Sequence, residues 1–299
     1  MKNRAATTID DHHEAEFIVI EGEGFMNLFT IDKNKCNRDG ICVAECPSRI
    51  IEMKDDSSFP TPVFGAERAC IRCGHCVAVC PHGALSHSLI KIEDCPPFQN
   101  DMAFTDEQAE HFLRSRRSIR LYQDRVIEPE KLARLIEIAR YSPTGGNSQM
   151  VNWVVVSSPE TVRKISGMVI DLMRAMVQKK HPMAESYRLI NLVNDWDAGI
   201  DRISRGAPSL VFACAPKDYG MGAVDCTSAL SYLDLAAPSL GLGCCWAGFV
   251  MMAVVKWPPL QQTLELPEGQ ACFGAMMVGY PKYRYYRLPT RKKPVIVWK

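Results

Sequence analysis

The stretch Cys70-Ile71-Arg72-Cys73-Gly74-His75-Cys76-Val77-Ala78-Val79-Cys80-Pro81 decides how the first third of the chain folds. Cys70, Cys73 and Cys76 recur at every third residue, a spacing that wraps thiolates around one small centre, whereas Cys80 and its following proline point elsewhere. An upstream partner has the same frame. Cys36-Asn37-Arg38-Asp39-Gly40-Ile41-Cys42-Val43-Ala44-Glu45-Cys46-Pro47 repeats it, down to the glycine two places before the third ligand position, with aspartate where the second cysteine would stand. The two halves read as an internal duplication, each expected to form a short hairpin, a ligand loop and a helical turn. A zinc knuckle would use four ligands in two separated pairs, which leaves the third cysteine and the terminal Cys-Pro without a role.

The spacing C-x2-C-x2-C-x3-C-P resembles that of bacterial two-cluster ferredoxins, in which the last cysteine ligates the other cluster. That resemblance implies crossed ligation. Cys46, Cys70, Cys73 and Cys76 would hold a regular 4Fe-4S cluster; Cys36, Cys42 and Cys80 would hold a second one, with Asp39 as candidate fourth ligand. In similar ferredoxins where aspartate replaces a cysteine, the cluster is either an oxygen-ligated 4Fe-4S or a 3Fe-4S that gains and loses its labile iron, and both remain open here. A carboxylate is a harder and more weakly held ligand than a thiolate. A degenerate first half that holds nothing is the bland alternative, and the three remaining cysteines speak against it.

The chain of 299 residues suits two domains. A formal charge of +1 gives no sign of a nucleic-acid partner. Thirteen cysteines would suggest disulfides in a small secreted protein, but seven lie in cluster frames that need reduced thiolates, and no signal peptide is recognisable. No apolar run approaches the roughly 20 residues of a membrane span. The expected setting is a low-oxygen cytoplasm. Residues 1–25 read as a tail, apart from Phe17-Ile18-Val19-Ile20, and Met26 is a candidate start. Residues 26–97 are expected to form the iron–sulfur domain and 105–299 a second domain.

Along the first domain, Leu28-Phe29-Thr30-Ile31-Asp32 reads as the opening strand, 48–69 as a link, and His82-Gly83-Ala84-Leu85 as a turn before a closing strand at 89–92. Cys95 reads as a small buried residue. In the second domain, Thr105 and Gln108 form a capping box for a first helix with Phe112 and Leu113 on its apolar face. Four arginines follow within seven residues, at 114, 116, 117 and 120; with Ser118 they suit a phosphate. Leu132, Leu135, Ile136 and Ala139 mark a core helix over 130–141. Ser142-Pro143-Thr144-Gly145-Gly146-Asn147-Ser148-Gln149 is a loop whose glycines let backbone approach a ligand and whose amides can read a polar ring edge. A strand is expected at 153–158, then a helix capped by Ser158 with Pro159 first. Residues 181–206, with Trp196, lack periodicity and could lie over a cleft. Buried strands are expected at 209–214 and 271–280, and Asp225 reads as the cap of an apolar helix that ends near Pro238.

Arg116-Arg117-Ser118-Ile119-Arg120, the 142–149 loop, Gly241-Leu242-Gly243-Cys244-Cys245-Trp246-Ala247-Gly248 and Gly279-Tyr280-Pro281 resemble, in that order, the FMN-dependent nitroreductase family. The likeness covers about residues 105–299. It implies an α+β fold, a central antiparallel or mixed sheet with helices, that works as a homodimer with two FMN sites across the interface. A small bacterial-type ferredoxin fold precedes it. By resemblance, Arg116, Arg117, Ser118 and Arg120 would hold the FMN phosphate and ribityl end, aided by Arg291 and Lys293. Pro143, Thr144, Gly145 and Asn147 would come from the partner subunit, and Cys245, Trp246, Ala247 and Gly248 would line the ring. Some relatives carry an acidic residue where Ala247 stands, which weakens the carry-over of ring-edge contacts. Cys244-Cys245 reads as packing, since adjacent cysteines close a strained ring.

What this resemblance implies is a flavin-dependent oxidoreductase. Electrons would pass between the clusters, FMN and a small acceptor such as a nitroaromatic or quinone. The chemistry sits on the flavin, and no side chain is expected to be obligatory as acid or base. NAD(P)H or a reduced ferredoxin would be the donor. Two other readings are a non-catalytic electron-transfer module of a larger redox complex and a flavin- or cofactor-remodelling enzyme.

Overall fold

The duplicated cysteine frames fold alike where the backbone must turn sharply. In the computed structural model, which describes residues 28–299, Gly40 has φ 69° and Gly74 φ 73°, and the preceding Arg38 and Arg72 are left-handed as well. Glycine enters this region without steric cost, so the same loop is built twice. Each glycine opens a short helix, α1 (Ile41–Glu45) after Gly40 and, beyond α2 (Ala66–Ala69), α3 (His75–Ala78) after Gly74. Residues 1–25 and Met26 lie outside the described residues.

The strands depart from one hairpin per half. Strand β1 (Phe29–Ile31) pairs antiparallel with β4 (Leu85–His87), which joins the two ends of the unit, while β2 (Ile51–Glu52) pairs with β3 (Thr61–Pro62). The 48–69 link therefore carries a hairpin and α2. The closing strand is 85–87, not 89–92. Leu85 is buried whereas Leu89 is exposed, and Ile90 folds back to bridge His87 and to cover Gly74. Phe29, Ile50, Ile51, Ala66, Val77 and Leu85 form the small core.

A second compact unit separates from the first between Pro97 and Phe98. It opens with α4 (Asp106–Ser115), where the Thr105 hydroxyl accepts from the Gln108 amide and the Gln108 side chain accepts from the Thr105 amide. Phe112 and Leu113 are exposed rather than buried. Helix α5 (Pro129–Ala139) buries Leu132, Leu135 and Ala139, with Ile136 half-buried. Next come β5 (Asn152–Val156) and α6 (Pro159–Gln178), whose first turn is capped by Ser158. The segment without periodicity forms two short helices, α7 (Pro182–Ser186) and α8 (Leu189–Asp197), broken by left-handed Arg188. Strand β6 (Ser209–Pro216), α9 (Gly222–Ala236), β7 (Gly243–Trp246), α10 (Gly248–Lys256), α11 (Pro258–Leu264) and β8 (Gln270–Gly279) complete the unit.

The four strands form one antiparallel sheet in the order β5-β6-β8-β7. Successive side chains of a strand point to opposite faces, and here both faces are covered. Leu210, Phe212 and Met277 pack on one side with α6, α8 and α10; Val211, Ala213, Met276 and Val278 pack on the other with α5 and α9. This double coverage explains the unbroken apolar runs of β6 and β8. A Cβ on Gly274 would lie 2.3 Å from Leu230 Cδ1, so glycine there lets α9 approach the sheet closely. The fold is α+β, with helices around an antiparallel sheet.

Candidate functional site

The predicted cysteine quartet comes together, and the three upstream cysteines lie near one another. A cavity in the first unit is lined by Cys46, Cys70, Cys73 and Cys76, with apolar Phe29, Ile50 and Ile51 around them. Burial, and then the neighbouring Cys73, Cys46 and Cys70, push the Cys76 thiol up to about 11. Cys42 is raised likewise by burial first, then by Cys80 and Cys36, with a smaller contribution from Asp39. These are the crossed sets, in which Cys46 joins the downstream frame and Cys80 the upstream one. Thiols that destabilise one another's ionised forms are relieved by a cationic iron cluster. Among the described residues, no three His, Cys, Asp or Glu groups converge tightly enough for a single metal ion.

The upstream set has a weaker fourth member. Asp39 Oδ1 accepts from the Ile41 amide at 3.1 Å, a short turn that fixes the carboxylate at the start of α1. The sulfurs also receive donors. Cys70 Sγ accepts from the Arg72 amide at 3.4 Å and Cys80 Sγ from the Ala84 amide at 3.3 Å. His87 Nε2 lies 3.6 Å from Cys70 Sγ. Burial, and secondarily the charge of Arg72, lower the His87 pKa and favour the neutral ring. Nothing in the cysteine spacing pointed to His87.

In the second unit, the chain from 118 to 123 runs along the end of the sheet. The Ile119 amide donates to the Cys244 carbonyl at 2.8 Å, the Gln123 amide to the Tyr280 carbonyl at 2.8 Å, and Tyr122 bridges Pro281. That pairing sets the arginine cluster beside β7. Arg116 and Arg117 line a cleft of about 540 Å³ with Gly243, Cys244 and Pro281. Arg291 joins Arg114, Arg116 and Arg117 around a second cleft of about 530 Å³. Lys293 is exposed and lines neither.

Two observations bear on whether an anionic cofactor fits. The buried Nε of Arg117 has no hydrogen-bond partner. Arg116, 3.4 Å from Ser118 Oγ, is held at 3.1 Å by the buried carboxylate of Asp234. Burial raises the Asp234 pKa, and Arg116 opposes that rise. With Arg114 paired to Glu110 and Arg116 to Asp234, Arg117 and Arg291 leave a surplus of donors suited to a phosphate. Asp234 was not legible in the sequence, because it lies on α9, far along the chain from the arginines.

Arg120, Cys245, Trp246 and Gly248 line a third cleft of about 350 Å³, opposite Tyr187, Arg202, Arg205, Phe249 and Met252. A Cβ on Gly248 would meet nothing within 4 Å, so the start of α10 is open to a planar ligand. Ala247 is buried, its amide bonded to the Ala275 carbonyl at 2.9 Å. Burial raises the Cys245 pKa, and Arg120 and Arg205 partly offset it. Cys244 and Cys245 face opposite sides of β7 into different cores, which removes them as a redox pair.

The 142–149 loop lines none of these clefts. Pro143 is exposed, Thr144 and Asn147 are half-buried, and the Gly145 amide donates to both oxygens of Asp225 at 3.1 and 3.2 Å. Tyr219 also donates to Asp225, at 2.8 Å. Asp225 is therefore no helix cap. It lies in the first turn of α9, and its buried carboxylate anchors this loop.

Comparison with known proteins agrees with the geometry of both units. The 4Fe-4S dicluster domain matches residues 27–84, and the nitroreductase family matches 113–280. A candidate NADH dehydrogenase/NAD(P)H nitroreductase of Archaeoglobus fulgidus is 28% identical over 63% of this chain and 95% of its own length. FMN reductase (NAD(P)H) of Bacillus subtilis is 28% identical over 59% of this chain and 67% of its own. The FMN-bound nitroreductase of Bacteroides fragilis superposes with a TM-score of 0.52 at 19% identity, covering 65% of this chain and all of that one. No described helix is long and apolar enough to cross a membrane. With more than half of its length matched, the chain belongs to the nitroreductase family and carries a 4Fe-4S dicluster domain ahead of the family's fold.

Proposed function

We propose that this protein is an FMN-dependent oxidoreductase that passes electrons between two iron–sulfur clusters, FMN and a small oxidised acceptor such as a nitroaromatic or quinone. One observation carries the reading: a single chain joins a four-cysteine cavity to a unit whose arginine-lined cleft holds the buried, unpartnered Nε of Arg117. FMN, when bound, supplies the ability to exchange electrons singly or in pairs.

The chain's own residues bind, orient and insulate. Arg116, Arg117 and Ser118 hold the phosphate and ribityl end with Arg291, Arg120 stands at the ring cleft, and Asp234 keeps Arg116 in place. Cys245, Trp246, Ala247 and Gly248 line the ring. In a homodimer, Pro143, Thr144, Gly145 and Asn147 come from the second copy, held in shape by Asp225. Cys46, Cys70, Cys73 and Cys76 ligate one 4Fe-4S cluster; Cys36, Cys42, Cys80 and Asp39 hold a 4Fe-4S or 3Fe-4S cluster. The reduced thiolates this requires fit an anaerobic cytoplasm, and NAD(P)H or a redox partner protein is the donor.

The test is anaerobic purification, assay of iron, sulfide and FMN, and rapid mixing with NADH, NADPH and a reduced ferredoxin in turn, following flavin and cluster absorption separately. Flavin bleaching by NAD(P)H ahead of the clusters supports a pyridine-nucleotide oxidoreductase. Reduction by ferredoxin alone, clusters first, sinks the NAD(P)H assignment. Fast reduction without turnover of any small acceptor contradicts the enzyme reading and favours an electron-transfer module.

A further inference from the structure

His87 stands where the cluster frames alone would never place a functional residue. The residue is 3% exposed. Nδ1 accepts a hydrogen bond from the Leu89 amide at 3.0 Å, so the proton of the neutral ring is on Nε2. That nitrogen is the one 3.6 Å from Cys70 Sγ. The tautomer is thus fixed by the backbone, and an N–H is aimed at a cluster sulfur.

The duplication supplies an internal control. The offset that carries Cys36 onto Cys70 and Cys42 onto Cys76 carries Ile51 of β2 onto Leu85 of β4, and Met53 onto His87. The Met53 side chain has no N–H to give, so the upstream frame has no side-chain N–H donor at the matching position, just as Asp39 stands at the matching position of Cys73.

We infer that His87 is a positioning residue that tunes the Cys46, Cys70, Cys73, Cys76 cluster, raising its reduction potential through the Nε2–H···Sγ hydrogen bond to Cys70. The inference rests on the iron–sulfur reading above. Reduction adds an electron that spreads onto the cysteinyl sulfurs, and a donor directed at one of them stabilises the reduced state more than the oxidised one. Hydrogen bonds to sulfur are among the protein's levers on cluster potential. The burial of His87 strengthens the effect, because a hydrogen bond is electrostatically stronger away from water, although Cys70 itself is half-buried.

The test is an anaerobic reductive titration of the full-length holoprotein, read by EPR so that the two clusters are followed separately. His87→Leu removes the donor and His87→Gln keeps an N–H. With Leu, the reduction equilibrium of the downstream cluster should shift about tenfold toward the oxidised form, equivalent to about 59 mV for one electron. The upstream cluster should stay put, and Gln should fall between wild type and Leu. An unchanged potential in an intact Leu variant would overturn the inference, as would equal shifts in both clusters. Should the Leu variant lose its cluster, a Gln variant with unchanged cluster content and a potential shifted by the full tenfold or more would overturn it as well. A wild-type protein with no downstream cluster signal defeats the iron–sulfur reading itself, a result distinct from all of these.

Discussion

The iron–sulfur unit and the flavin unit are held together by different means. The first is built from helices of four and five residues and strands of two and three. Elements so short gain little from their own hydrogen bonds, and a handful of apolar side chains is a thin core. The second has a 20-residue helix, a 10-residue central strand and apolar packing on both faces of its sheet. On the proposed function, cofactor ligation is expected to be a structural necessity in the first unit and an addition to a finished fold in the second.

The sharpest way to break this comparison is to strip the iron. Removing it by chelation under oxidising conditions should unfold residues 28–97 and leave 98–299 folded, since folding and metal ligation are one equilibrium in small metal-built domains. Limited proteolysis with mass spectrometry reads this directly. Survival of both units, or loss of both, contradicts it.

Within the first unit, Cys73→Ala should abolish the downstream cluster and lower bound iron by about half. Asp39→Ala, at the matching position, should lose no more than the labile iron, because three thiolates remain. Iron analysis of the two variants separates these outcomes, and equal losses would remove the distinction between the halves. In the flavin unit, Phe212→Ala in the fully buried β6 should cost about 3–5 kcal/mol in chemical denaturation while leaving iron content unchanged. The smallest effect is expected from Asp225→Asn. It weakens the acceptor for the Gly145 amide and the Tyr219 hydroxyl, for about 1–3 kcal/mol and faster loss of FMN on dilution.

What the sequence disclosed divides along the same line. The proposed cluster ligands are legible because they are written in fixed short spacings, and the structure lines one cavity with Cys46, Cys70, Cys73 and Cys76. The buried strands are legible because both faces of the sheet are covered, so β6 and β8 are apolar without interruption. The 181–206 segment was opaque because a helical period needs about three turns to be seen, and the chain there breaks at Arg188 after only five helical residues. Leu89 to Ile92 looked more strand-like than Leu85 to His87, but strand identity came from pairing with β1, a contact between the two ends of the unit. Asp225, Asp234 and His87 act on groups distant in sequence, or on a sulfur whose spacing explains only its own ligation. Charge and residue type alone could not assign them partners.

The proposed function requires that electrons pass between the clusters and the flavin. The most direct measurement is stopped-flow of the anaerobic holoprotein with a substoichiometric one-electron reductant that enters at the clusters, repeated over a range of protein concentrations. Cluster absorption should recover as the flavin band bleaches, at a rate independent of protein concentration. Flavin bleaching that slows in proportion to dilution, or clusters that stay reduced beside an oxidised flavin, would contradict it.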